Sequence, residues 1–123
     1  MIIAMKRDMD LIRAILLLVE VESSGYAPQN LEVEGYTQEE IGYHISLLGE
    51  AGLAVVHDVT DFGSKSPTGK IIRLTWAGHE FLDAARERTT WNQAKDAINK
   101  VGGATLQVWI AVLTAYVTKK LGI

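Results

Sequence analysis

Between residues 47 and 82 the chain reads LLGEAGLAVV, then a polar segment containing glycine, serine and proline, then KIIRLTWAGHEFL. Few arrangements satisfy that order. Gly52 follows a helical run and supplies the left-handed turn that closes a helix. Residues 53–59 are rich in valine and read as a strand. Residues 60–69 hold Gly63, Gly69, Ser64, Ser66 and Pro67, the composition of a hairpin tip. Residues 71–74 form the return strand, and Thr75 is placed to cap the helix that follows. Helix, hairpin and capped helix in succession predict an α+β fold.

The other segments are mostly helical. Residues 8–22 carry Met9, Ile12, Ile15, Leu16 and Val19 at helical spacing, one apolar stripe. Asp8 and Asp10 lie at the end where the helix dipole favours carboxylates, and Ser23, Ser24 and Gly25 stop the helix. The span before Thr37 holds Pro28 and Asn30 and has no room for a second full helix. Within it Leu31 and Val33 alternate with Glu32 and Glu34, which predicts a short strand with one wet face. Thr37 and Glu40 have the spacing of a capping box, and their helix turns Ile41, Ile45 and Leu48 inward. The helix after Thr75 has Trp76, Phe81, Leu82 and Ala85 as its apolar residues. Thr89 or Thr90 caps the next, which carries Trp91, Ala94 and Ile98. Gly102 and Gly103 break it, and a last helix ends near Lys119 and Lys120.

A chain of 123 residues forms one domain that buries a core without staples. Residues 5–88 are its core, and residues 89–123 are a helical extension. No cysteine is present, which excludes disulfides and thiolate chemistry and suits the cytoplasm. The net charge is -3, so a nucleic-acid site has to be a local basic patch rather than a property of the whole chain. Residues 1–4 are apolar with no charged stretch before them, unlike a secretory signal. The longest apolar stretch, residues 106–117, is shorter than the roughly 20 residues that span a bilayer.

The order of parts is that of a winged helix: an α+β winged helix-like domain with a two- to three-stranded antiparallel wing and additional C-terminal helices. AGL, a hairpin and then LTWAG resemble winged-helix transcription regulators of the MarR and PadR type, with Leu74, Thr75 and Gly78 on the step that leads out of the wing. A closer resemblance runs through MKRDMDLIRAILLLVE, EEIGYHISLLGEAGL and LTWAGHEFLDAARERTTW. These are similar to a domain-of-unknown-function family found in phages and mobile elements, whose members carry no assigned activity. The resemblance implies that relatives start at the position of Met5.

Two regions are candidates for DNA contact. On the helix after Thr37, a step of about 100° per residue sets Glu39, Gly42, Tyr43, Ser46 and Glu50 opposite the apolar face. Tyr43 and Ser46 are the possible base readers there. Glu39 and Glu50 repel phosphate and suit a protein partner instead. On the hairpin, Lys65, Lys70 and Arg73 accompany small hydroxyl residues, a composition able to hold phosphates. Lys6, Arg7 and Arg13 form a second basic group that reads as a solvated face.

Chemistry has little foothold. His44, His57 and His79 lack metal-binding spacing, and no catalytic motif is present, so neither a metal, a cofactor nor an enzyme is expected. His44 falls on the inner side of its helix and is expected to hydrogen-bond a strand or Tyr36. On the last helix Leu106, Trp109, Ile110, Leu113, Tyr116 and Val117 make one broad apolar face, with Val108, Val112 and Ala115 beyond it. A helix apolar nearly all round is buried, in its own domain or against a second copy, and that broad face is the candidate dimer interface. The reading is therefore a dimeric DNA-binding or regulatory accessory protein of a phage or mobile element. The alternative is a protein-interaction module on the same frame.

Overall fold

Helix α1 (Met9–Glu20) begins where the Asp8 carboxylate accepts the amide protons of Asp10 and Leu11. It buries Leu11, Ile12, Ile15, Leu16 and Val19, each worth roughly 1.5–3 kcal/mol of transfer free energy. The computed structural model describes residues 4–123. Most of the apolar lead, residues 1–3, lies outside the described residues. Helix α2 (Gln38–Glu50) starts at Thr37 with both arms of the capping box formed. It buries Ile41, His44, Ile45 and Leu48. Gly52, at φ +75°, turns the chain into β1 (Ala54–Asp58), which pairs antiparallel with β2 (Gly69–Leu74).

No helix forms between α1 and α2, as the content of that span predicts. The strand expected over residues 31–34 does not form either. Positive φ at Gly25 and Gly35 curls the connection. Its hydrogen bonds go elsewhere: the Tyr36 amide donates to the Val33 carbonyl, and the Gln38 side chain donates to the Leu31 carbonyl. Leu31 is still buried. One backbone bond joins the connection to the sheet, from the Ala27 amide to the Ile72 carbonyl at 2.8 Å. The sheet among the described residues is two-stranded.

Helix α3 (Trp76–Ala85) is capped by Thr75, whose hydroxyl accepts from the Gly78 amide and donates to the Gly52 carbonyl. Trp76 departs from the sequence reading. It is 81% exposed, not a core residue. Gly78 explains this, because it lies flush on the Leu53 carbonyl where no Cβ fits. That contact fixes the inward face of α3, and Trp76, two residues earlier, is about 200° round the helix. Helix α4 (Arg88–Asn99) is capped by Glu87, not by Thr89 or Thr90, and Thr90 is buried. Gly102 and Gly103, both at positive φ, separate it from α5 (Leu106–Leu121).

The described residues thus form a mixed α+β fold with five helices and one hairpin. It divides into two compact units, the first ending at His79 and the second spanning Glu80–Ile123. In the first, α2 packs on α1 and on both strands, and α1 also meets β2. In the second, α4 packs on α5, with Trp91 stacked on Trp109 at 4.7 Å and Phe81 edge-on to Trp91.

Candidate nucleic-acid interface

The hairpin positions its cations through a bulge. Val55 faces Arg73 and Val56 faces Ile71, so Ile72 has no partner across the ladder. A bulge of one residue changes which face the rest of the strand presents. Lys70 and Arg73 are accordingly both exposed, while Ile71 and Leu74 are buried. The carbonyl of the unpaired Ile72 is the one that takes the Ala27 amide. Arg73 also donates from Nη1 to the Leu74 carbonyl, which steadies its stem. His57 is opposite Lys70 and exposed, so it lies beside the cations on the same face. Sequence reading weighed His57 only as a metal ligand, because its cross-strand neighbour depends on register.

Beyond the paired strands the tip is held by its own side chains. The Val59 amide donates to the Thr68 carbonyl, and the Thr60 hydroxyl and Thr68 amide bond across the same gap. The Asp61 carboxylate accepts from the Gly63 amide and the Ser64 hydroxyl. Thr60 holds Asp58 below the usual carboxylate range by donating hydrogen bonds to it. Phe62 sits between these groups with its side chain wholly in solvent. Among the described residues Lys65, Lys70 and Arg73 form no ion pair. From Ala54 to Leu74 these three cations stand against two carboxylates, Asp58 and Asp61.

Helix α2 presents a different surface from the one its periodicity suggested. A Cβ on Gly42 would lie 2.7 Å from the Thr68 hydroxyl, and one on Gly49 would lie 2.9 Å from Val56. A Cβ on Gly69 would meet Val56 at 2.6 Å and the Ser46 amide nitrogen at 3.1 Å. Gly42, Ser46 and Gly49 therefore form a stripe of small residues that lets the hairpin lie close on α2. Gly42 and Ser46 adjoin the hairpin rather than pointing away from the fold. At the helix start, the Ser66 hydroxyl donates to Glu39 at 2.8 Å and ties the tip to α2. Of the five residues assigned outward, Glu39 and Glu50 are exposed and Tyr43 is half-buried, its ring edge-on to His44. A groove of about 310 Å³ opens between Pro28–Leu31, α2 and the start of β2, with Lys70 on its rim.

His44 is 1% exposed, and its two ring nitrogens tie α2 to the start of α1. Nε2 accepts from the Asp8 amide at 2.8 Å. Nδ1 lies 2.8 Å from the Glu40 carbonyl and must carry the proton that bonds it. Its partners are thus the Asp8 amide and the Glu40 carbonyl, not a strand or Tyr36. Tyr36 joins the cluster by donating to the Asp8 carboxylate at 2.7 Å. Burial first, and then that carboxylate, push the tyrosine hydroxyl up to about 12. Every polar atom here is satisfied in binding two helices together, so the cluster is structural. Among the described residues no three His, Asp or Glu side chains are grouped to hold a metal, and no helix is long and apolar enough to cross a membrane.

The residues assigned to a dimer interface divide on α5. Trp109 and Leu113 are buried within their own chain. Ile110 is 38% exposed, and Leu106, Tyr116 and Val117 are half-buried, while Val108, beyond that face, is 46% exposed. The helix is thus more open than an all-round apolar pattern predicts.

Comparison with other proteins adds kinship but no activity. The family described as Hypothetical protein (DUF2513) matches residues 6–105, which end at the N-cap of α5. A protein of Haemophilus influenzae, described as an uncharacterized protein, is 43% identical over 98 residues, covering 76% of this chain and 79% of the relative. No solved structure matches.

Proposed function

The chain belongs to the DUF2513 family of hypothetical proteins, and we propose that it is a winged-helix protein that binds double-stranded DNA through the wing. On this reading it is a cytoplasmic regulatory or accessory protein, not an enzyme. The tie to a phage or mobile element rests on the resemblance of its motifs to that family. The observation that carries the proposal is the outer face of the hairpin. The bulge at Ile72 brings Arg73 to the same exposed side as Lys70 and His57, and Lys65 extends the strip to the tip. Cations without carboxylate partners are what a phosphate backbone requires. Tyr43 is left as the possible base reader on α2, while Ser46 is set against Gly69. A gel-shift assay with random-sequence duplex at low salt tests this reading. Wild-type protein is expected to shift the duplex, and the Lys65→Ala/Lys70→Ala variant to shift it far less. Equal shifts by the two proteins would contradict it.

Two observations favour the alternative of a protein-interaction module. Helix α2 contains no lysine or arginine, and its small-residue stripe is occupied by the hairpin. Major-groove docking by that helix is therefore disfavoured. A protein partner would engage Glu39 and Glu50 instead. Reversal of Glu50 to lysine is expected to abolish capture of such a partner while leaving the fold intact, and unchanged capture would remove that reading's support.

A further inference from the structure

The most exposed large apolar side chain of the described residues is Phe62, at 111% of its reference accessibility. It occupies the apex of a tip that is otherwise hydrogen-bonded to itself. The Asp61 amide donates to the Ser64 hydroxyl, the Ser64 amide to the Asp61 carbonyl, and the Gly63 amide to the Asp61 carboxylate. Thr60 and Thr68 close the neck below, and Ser66 anchors it to Glu39. An aromatic ring on a flexible loop folds back onto nearby apolar surface. This ring does not, because its backbone is held on both sides. A phenylalanine left in water forgoes the favourable burial of its ring, so a ring displayed in this way points to a partner that covers it.

We infer that Phe62 is a wedge that enters the minor groove of DNA and inserts its ring between adjacent base pairs. The inference rests on the DNA reading given above and adds the mode of contact. Three features favour a nucleic acid over a protein pocket. Lys65 lies three residues from the ring, and Lys70 and Arg73 continue the exposed basic strip down β2, so cations flank the ring on the return arm. The Asp61 carboxylate is engaged by Gly63 and Ser64 at the base of the turn. A hairpin apex is also narrow enough for the minor groove, about 6 Å wide, where apolar wedges unstack base steps and kink the duplex. Ring and cations then act together: the cations of the return arm hold the phosphate backbone beside the step that the ring opens.

The test uses the full chain and a random-sequence duplex carrying a donor and an acceptor dye at its ends, at low salt. Binding is read by anisotropy and bending by energy transfer. Wild type is expected to bind and to bring the ends closer. Phe62→Ala is expected to bind about tenfold more weakly and to leave the duplex straight at saturation. Phe62→Leu, which keeps an apolar wedge, is expected to restore much of the bend. Because Phe62 makes no buried contact, both variants should melt with wild type, which separates a lost wedge from a lost fold. Binding and bending by Phe62→Ala equal to wild type would overturn the wedge and leave the DNA reading intact. No wild-type binding at low salt would overturn both. A photoreactive phenylalanine analogue at position 62 that crosslinks to a protein but not to duplex would reassign the tip to protein contact and overturn the inference.

Discussion

At the residue scale, single positions set which faces of the fold are inside. Gly78 has a burial role that its neighbours conceal. Any Cβ there meets the Leu53 carbonyl, which is backbone and cannot swing aside. Gly78→Ala is therefore expected to destabilise the protein by about 3 kcal/mol or more, read as a lower urea midpoint. A midpoint within error of wild type would contradict the close approach. Trp76, two residues away, is the counterpart. Its exposure predicts that Trp76→Ala changes stability by less than about 0.5 kcal/mol. It also predicts that the variant loses the red-shifted part of the tryptophan emission, leaving buried Trp91 and Trp109. A large loss of stability would show that Trp76 is covered in solution. These two residues mark a limit of sequence reading. Tryptophan is a common core residue, so a helical pattern counts it as one. Only the backbone contact at Gly78 reveals that the helix is turned the other way. His44 was legible as an inner residue, but its partner Asp8 lies 36 positions away and could not be named from spacing.

At the scale of elements, the helix boundaries were largely legible because capping chemistry is local. Thr37 with Glu40 and Thr75 before α3 cap the helices as their spacing predicts. The cap of α4 was misassigned for a physical reason. Thr89 and Thr90 are good cap residues, but Glu87 does the capping and is backed by a distant charge. Its carboxylate accepts from the Thr90 amide at 2.6 Å and from the Lys120 ammonium of α5 at 2.8 Å. The Lys120 hydrogen bond first, then Thr90, lower its pKa from 4.5 to about 2. The folded state therefore favours the ionised form. The stability this contributes is present above pH 4.5 and is lost as the pH falls toward 2. Wild type is expected to lose melting temperature more steeply through that window than Glu87→Gln does. Parallel curves for the two proteins would refute the linkage. The strand expected at residues 31–34 failed for another reason. Alternation of Leu31, Glu32, Val33 and Glu34 records one buried and one wet face, but the hydrogen bonds of that stretch go to Tyr36 and Gln38. The bulge at Ile72 was likewise invisible, since a two-residue period has no mark for a skipped partner. Without that bulge the period-two pattern would turn Arg73 inward, so the exposed basic strip depends on it.

At the scale of the whole molecule, what remains open on the surface decides between partners. Helix α5 leaves Val108 and Ile110 exposed beside buried Trp109 and Leu113. We propose that a second copy of the chain covers them. Light scattering is expected to give a dimer for wild type. It is expected to give a folded monomer for Val108→Glu/Ile110→Glu, because both positions are exposed within one chain. An unchanged mass for the variant would remove α5 as the interface. The mixed α+β character was legible from the order of helix, hairpin and capped helix, and the presence of cations on the hairpin from composition. The small-residue stripe of α2 was not, because glycines read as breaks until a neighbour is seen lying against them. The central claim is that the exposed cations of the hairpin hold DNA phosphates. The most direct measurement is the slope of log association constant against log salt for a random-sequence duplex, taken by anisotropy between about 50 and about 200 mM. Each phosphate contact contributes about -0.9 to that slope. Wild type is expected to give about -2.7 for each hairpin engaged, and Lys65→Ala/Lys70→Ala a slope shallower by about 1.8. Absence of binding at the lowest salt, or one slope shared by both proteins, would contradict the account.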